Sequence, residues 1–359
     1  MKITIVAGAR PNFMKIAPII ESIIKHKKLT YRLVHTGQHY DKSMSDTFFE
    51  ELDIPYPDVN LSCGGGSQAE QAASIMVAFE KDLISHPTDL VLVVGDVTST
   101  MACSIVAKKL NTKVAHVEAG IRSNDMTMPE EINRIVTDSL ADYFFTTTRL
   151  ASQNLYNTGV NKNIVYFVGN VMIDTLLKNY SRLRKPLFFD EYGLVPNEYI
   201  ILTLHRPANV DDKNKFEVLL TEITKNSKNI PIIFPVHPRT AKIFSEIKFE
   251  CKNLHLVQPL GYLEFNYLVL NAKAVITDSG GITEETTVMG VPCLTLRDNT
   301  ERPETCEIGT NELIGTNPKA IKPALEKLFA NKWKKGNIPD LWDGNSAERI
   351  VAIITEVFN

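Results

Sequence analysis

The 359-residue sequence predicts an α/β protein built as two Rossmann-like parallel-sheet domains. Three observations carry that expectation. Short β-branched runs alternate with helical-period segments from end to end, the pattern of parallel sheets covered by helices on both faces. The chain is too long for one ordinary compact unit, and its 44% hydrophobic content supports a large core. A charged, proline-interrupted stretch from Arg182 to Asn197 separates two series of strands.

In the first series, strands are expected at Lys2–Ala7, Tyr31–Thr36, Leu90–Val94, Lys113–Val117, Tyr143–Thr146 and Ile164–Val168. After Gly8, Phe13, Ala17, Ile20 and Ile24 recur at helical spacing and predict a helix. The second series is expected at Tyr199–Thr203, Pro231–Phe234, Leu254–Val257, Ala274–Thr277 and Cys293–Leu296. The hinge falls between Gly169 and Asn197. Ile350, Ile353, Ile354 and Val357 share one helical face, so Ser346–Val357 reads as a helix packing on the body. The domains are therefore placed at 1–175 and 176–345, with 346–359 as a terminal helix returning to the first.

Composition narrows the function. A formal net charge of −3 gives no global field to attract nucleic acid or an anionic membrane. Five scattered cysteines without CxxC spacing argue against a disulfide framework or zinc ribbon and suit a reducing cytosol. The N-terminus runs directly into a strand, with no signal-peptide pattern, and no run of about twenty apolar residues occurs. A cytoplasmic protein is expected. Without HExxH or Cys/His ligand spacing, no metal is expected.

Open parallel sheets bind ligands outside the carboxyl ends of their strands, so polar residues just after strands carry most weight. Gly8-Ala9-Arg10-Pro11 follows the first strand, with Lys15 one turn on; Asp96 and Glu118 end two others. No GxGxxG follows the first strand, which disfavours a nicotinamide dinucleotide, and no cofactor is expected. In the second half, Ala274–Thr277 runs into Asp278-Ser279-Gly280-Gly281 and a helix containing Glu284 and Glu285. Two glycines let the backbone approach a ligand, and free N–H groups at a helix start favour phosphate. Glu285, one turn on, suits the hydroxyls of a ribose. The same residues also fit an ordinary strand–turn–helix.

Arg10 offers a forked donor and Lys15 a point charge, complementary grips on a diphosphate, although most lysines on helices are merely solvated. The candidates for handling protons are Asp96, Glu118, Glu130, Glu131 and His205. Competing structural readings make Asp96 an N-cap, Glu130 a dipole partner after Pro129, and His116 a satisfied histidine within a strand.

At these motifs the chain resembles the non-hydrolysing UDP-N-acetylglucosamine 2-epimerases, relatives of the two-domain nucleotide-sugar glycosyltransferases. The resemblance spans nearly the whole chain. Its carriers are Gly8-Ala9-Arg10-Pro11 with Lys15, Thr36-Gly37-Gln38-His39, Gly95-Asp96, His116-Val117-Glu118-Ala119-Gly120, Pro129 through Arg134, Thr203-Leu204-His205-Arg206, Asp278 through Glu285, and Thr300-Glu301-Arg302-Pro303-Glu304.

The resemblance implies a GT-B-like fold, two domains facing across a cleft, and a homodimer. It implies UDP held by Ser279, Gly280 and Gly281 at the diphosphate, Glu285 at the ribose and Phe265 near the uracil, with Arg10, Lys15 and His205 approaching from the cleft. Asp96, Glu118, Glu130 and His205 would form the catalytic set, and Arg302 would lie near the sugar. Many bacterial members bind a second substrate molecule as activator; Gln38, His39 and His237 are retained here, while Asp41 and Gly64-Gly65-Gly66 depart from the usual pattern.

The implied reaction interconverts UDP-N-acetylglucosamine and UDP-N-acetylmannosamine, supplying N-acetylmannosamine for cell-surface polysaccharide. Carbon 2 bears no carbonyl neighbour, so cleavage at carbon 1 must first activate its hydrogen. Rival expectations are a hydrolysing epimerase, a UDP-2,3-diacetamido-glucuronate 2-epimerase, a glycosyltransferase and a non-catalytic sensor.

Overall fold

The computed structural model describes residues 1–38, 49–236, 238–247 and 249–358. The chain divides into two compact units, Met1–Asn179 with Asp340–Asn359, and Tyr180–Pro339.

The first unit contains strands β1 (Lys2–Ala7), β2 (Thr30–His35), β3 (Val59–Asn60), β4 (Leu90–Val94), β5 (Lys113–Val117), β6 (Tyr143–Thr146) and β7 (Val165–Phe167). Its helices are α1 (Arg10–His26), α2 (Gln68–Ser85), α3 (Thr98–Lys109), α4 (Pro129–Leu140), α5 (Arg149–Asn157) and α6 (Val171–Asn179). The strands form one parallel sheet in the order β3-β2-β1-β4-β5-β6-β7. Central β4 reads Leu-Val-Leu-Val-Val and is buried throughout, as a strand covered on both faces must be. Against one face, Ile75 and Phe79 of α2 and Ala102 of α3 pack on Val91 and Val93. Each fully buried side chain of this size contributes roughly 1.5–3 kcal/mol.

Helix α1 carries Pro18 in its interior, which frees the carbonyl four residues earlier. Thr175 Oγ1 of α6 donates to that carbonyl, on Met14, at 2.5 Å. The proline thus becomes a docking point instead of a break.

The second unit contains β8 (Ile200–Thr203), β9 (Ile232–Pro235), β10 (Leu254–Val257), β11 (Ala274–Thr277), β12 (Cys293–Thr295) and β13 (Asn311–Leu313). Among its helices are α7 (Lys213–Asn226), α8 (Pro238–Ile247), α9 (Tyr262–Asn271), α10 (Gly280–Met289), α11 (Pro303–Glu307) and α12 (Ile321–Phe329). The sheet is again parallel, in the order β10-β9-β8-β11-β12-β13. One core layer joins Leu202, Phe216, Phe234, Ile276 and Leu325; the opposite layer joins Tyr199, Ile201, Leu268 and Val275.

The chain then returns to the first unit through α13 (Ser346–Val357). Trp342, almost fully buried, donates from Nε1 to Thr147 O at 3.1 Å, and Glu348 pairs with Lys25 of α1 at 2.6 Å. A β-carbon at Gly169, where φ is +94°, would sit 2.0 Å from Leu341 O, so only glycine admits this return. No described helix is long and apolar enough to cross a membrane.

His35, buried at the end of β2, accepts the Gly37 N–H at Nδ1 over 2.7 Å. Burial lowers its pKa to about 4 from the ordinary 6.5. The unfolded chain protonates this ring first, so stability is complete above the ordinary value and falls as pH drops from about 6.5 to about 4. The expected loss is about 3 kcal/mol. Urea titrations across that window check it, and His35→Gln is expected to flatten the slope.

Candidate active-site residues

Polar residues of the first unit gather at the carboxyl ends of β1, β4 and β5. Asn12 closes the turn after β1: its Oδ1 accepts the N–H groups of Gly8 and Ala9, both at 3.0 Å, and its Nδ2 donates to Val94 O at 3.1 Å. These two turn amides are already engaged by protein. Arg10 opens α1. Gly8 is required by space, because a β-carbon there would meet Ser99 Oγ at 2.0 Å.

Lys15 is buried, and its Nζ lies 2.6 Å from Glu118 Oε2. Glu118 has φ +70°, a left-handed conformation that costs a non-glycine residue about 1–3 kcal/mol and is typical of functional positions. Its backbone N–H and that of Ala119 both donate to Phe145 O, at 3.0 and 3.1 Å. This hooks the turn onto β6. Gly95 leaves the room for Lys15, since a β-carbon would stand 2.8 Å from Nζ.

Asp96 is not the N-cap of α3, a position held by Val97. Its Oδ2 accepts from Arg134 Nη2 at 2.7 Å and Nε at 3.0 Å. Arg134 in turn pairs with buried Glu131 at 2.5 Å, and Glu131 also accepts the N–H groups of Ser123 and Asn124 at 2.9 and 3.0 Å. Of the two acids after Pro129, Glu131 faces inward as structure, whereas Glu130 is exposed on the first turn of α4.

His116 is wholly buried, with Nδ1 2.7 Å from Asp138 Oδ1 and Nε2 2.8 Å from Gly95 O. It is a structural histidine. Burial pushes Asp138 upward, but His116 and the Arg122 guanidinium outweigh it and hold the carboxyl below its ordinary range. Gln38 Oε1 accepts from the N–H and hydroxyl of Ser99, at 3.1 and 2.8 Å, fastening the turn after β2 to the start of α3. His39 and His237 lie outside the described residues.

In the second unit, Asp278 directly follows β11 and is fully buried. It accepts the backbone N–H groups of His205 and Arg206 at 3.1 and 2.9 Å and Asn209 Nδ2 at 3.1 Å, with His205 Nδ1 2.9 Å from Oδ1. Burial raises its carboxyl, but the hydrogen bond and charge of His205 and the Arg206 amide prevail, leaving it below the usual range.

Ser279 is the N-cap residue of α10 and Gly280 and Gly281 form its first turn. Helix geometry leaves their N–H groups without intrahelical partners. A β-carbon at Gly280 would meet Glu301 Oε1 at 2.6 Å, while among the described residues nothing beyond its own helix backbone lies within 4 Å of that position at Gly281.

Glu285 is buried and accepts from Tyr262 OH at 2.8 Å and Asn266 Nδ2 at 3.4 Å. Phe265 stands on the same helix, α9, half-buried against the core. Arg302 Nε pairs with Glu284 at 3.1 Å, and Arg297 with Glu301 at 2.6 Å.

Two parallel α/β units with their polar residues at strand carboxyl ends define the two-domain class of the GT-B-like fold. Within it, the chain belongs to the UDP-N-acetylglucosamine 2-epimerase family, whose model matches residues 21–355. It is 41% identical to the UDP-N-acetylglucosamine 2-epimerase of Methanocaldococcus jannaschii, covering 99% of both chains. A crystal structure of a Methanocaldococcus jannaschii UDP-GlcNAc 2-epimerase in complex with UDP-GlcNAc and UDP is similar at a TM-score of 0.90 and 40% identity, covering 99% of this chain and 100% of that one. The UDP-2,3-diacetamido-2,3-dideoxy-D-glucuronate 2-epimerase of Pseudomonas aeruginosa is 38% identical, covering 88% of both chains.

Proposed function

We propose that the chain is a non-hydrolysing UDP-N-acetylglucosamine 2-epimerase that interconverts UDP-N-acetylglucosamine and UDP-N-acetylmannosamine. The observation that carries the reading is the coexistence, in one member of this family, of strand-end acids Asp96 and Glu118 with a glycine helix start after Ser279.

In the proposed reaction the bond from carbon 1 to the phosphate oxygen breaks and UDP leaves with the electron pair. A carboxylate removes the carbon 2 hydrogen as a proton, and its electrons form the double bond of a glycal. A proton delivered to the other face of carbon 2 and return of UDP to carbon 1 complete the inversion. Ser279, Gly280 and Gly281 hold the diphosphate, Glu285 the ribose and Phe265 the uracil; Arg10, Lys15 and His205 offset the charge of the leaving group. The proton-transfer pair is drawn from Asp96, Glu118 and Glu130, and Arg302 serves the sugar. Gln38, His39 and His237 are proposed as a second, regulatory substrate site. The chain is further proposed to work as a cytoplasmic homodimer, which family resemblance and unpaired cysteines support.

The diacetamido-glucuronate reading has the Pseudomonas relative in its favour. Incubation with UDP-N-acetylglucosamine in heavy water, followed by proton NMR, tests the proposal. Deuterium is expected at carbon 2 of both UDP-sugars without nicotinamide. Recovered sugar lacking the label removes the mechanism; free N-acetylmannosamine points to hydrolysis, and faster turnover of the diacetamido-uronate to the rival substrate.

A further inference from the structure

We infer that Asp278 is a positioning residue that locks His205 in its Nδ1–H tautomer, leaving Nε2 as the atom that acts on the sugar nucleotide. The inference rests on the reading of His205 as a group that meets that substrate.

The lock follows from counting donors. Around the buried Asp278 carboxylate, the His205 N–H at 3.1 Å, the Arg206 N–H at 2.9 Å and Asn209 Nδ2 at 3.1 Å can only donate. An ionised carboxylate can only accept. The imidazole Nδ1 lies 2.9 Å from Oδ1 as an ion pair, a separation at which the carboxylate repels a lone pair and favours hydrogen on Nδ1. A neutral ring so arranged has its lone pair on Nε2.

Among the described residues, the neighbouring Arg206 does not compete for Nδ1. Arg206 turns its Nε to the Asp278 carbonyl at 3.0 Å, and its Nη2 lies 3.9 Å from Glu301. His205 is thus held at its main chain and at one ring nitrogen by a single carboxylate, while 54% of its side chain stays exposed. As an imidazolium whose charge faces Asp278, the ring can donate its Nε2 proton to the departing phosphate oxygen as the carbon 1 bond breaks, which leaves the neutral Nδ1–H ring, and Nε2 takes the proton back as the bond reforms. The ring ends each cycle as it began.

Asp278→Asn tests the lock because an asparagine keeps one oxygen for the Arg206 and Asn209 donors and turns an NH2 toward Nδ1. That NH2 would donate to Nδ1 and move the ring hydrogen to Nε2. Long-range proton–nitrogen correlation spectra of protein labelled with ¹⁵N-histidine, recorded alkaline of the ring titration, report the tautomer. The His205 signal is assigned by its loss in His205→Gln.

Nδ1–H is expected in the parent and Nε2–H in Asp278→Asn, with turnover lowered roughly 10²–10⁴-fold and UDP affinity within about threefold. A parent ring with hydrogen on Nε2 overturns the inference, as does an Asp278→Asn protein that turns over at the parental rate. Should that variant not fold, the parental spectrum decides alone. Absence of any epimerase activity in the parent would reject the proposed function, and the two spectra would still judge the lock.

Discussion

Asp96→Asn and Glu118→Gln are each expected to lower turnover by about 10²–10⁴-fold while UDP affinity stays within about threefold of the parent. Both acids follow adjacent strands of the first sheet, β4 and β5, whereas the proposed grip on the diphosphate belongs to α10 of the second unit. An amide retains the size of the carboxyl and accepts hydrogen bonds at one oxygen, but it does not carry a proton away from carbon. A loss confined to turnover is the signature of groups used in the transition state and little in binding. Steady-state rates together with UDP titration by calorimetry measure the two quantities separately. If both variants keep full activity, the proton-transfer groups lie elsewhere; if UDP binding collapses with turnover, these acids hold the substrate and do no chemistry.

The strands were legible because parallel strands covered on both faces are continuous apolar runs. Lys2–Ala7, Leu90–Val94, Lys113–Val117, Tyr143–Thr146, Leu254–Val257 and Ala274–Thr277 are found where the sequence predicts them. β3 and β13 escaped, since Val59–Asn60 has two residues and Asn-Glu-Leu at 311–313 has no apolar run. The candidate residues were legible as residues that follow strands, but their partners were not. Asp278 and His205 are 73 positions apart and meet because β8 and β11 are neighbours in register, Thr203 opposite Thr277. Strand order is a tertiary fact, and nothing local in the sequence encodes it. The Lys15–Glu118 pair depends likewise on β1, β4 and β5 lying side by side. One partner was within reach: Glu131 and Arg134 are three apart on a helix, a spacing that places them on one face.

That pair also gives the largest expected effect on stability. Arg134→Met is expected to destabilise the first unit by about 3–5 kcal/mol, because it leaves Glu131 buried without its cation. The side chains of Arg134 and Glu131 are 2% and 1% exposed, so water cannot replace the guanidinium. Glu131 also holds the amides of Ser123 and Asn124, so its displacement would loosen the loop leading to Glu130.

Removing the charge from both partners should relieve the penalty. Glu131→Gln combined with Arg134→Met is expected to recover about 1–2 kcal/mol of the loss, since the amide keeps an acceptor for the loop and no longer needs a cation. The chain has two tryptophans, and Trp342 lies in the first unit. In a Trp333→Phe background its fluorescence reports that unit alone during urea unfolding. An Arg134→Met protein within about 1 kcal/mol of the parent would mean the Arg134–Glu131 pair is solvated in solution, and Asp96 would then lack the fixed orientation a proton-transfer group needs.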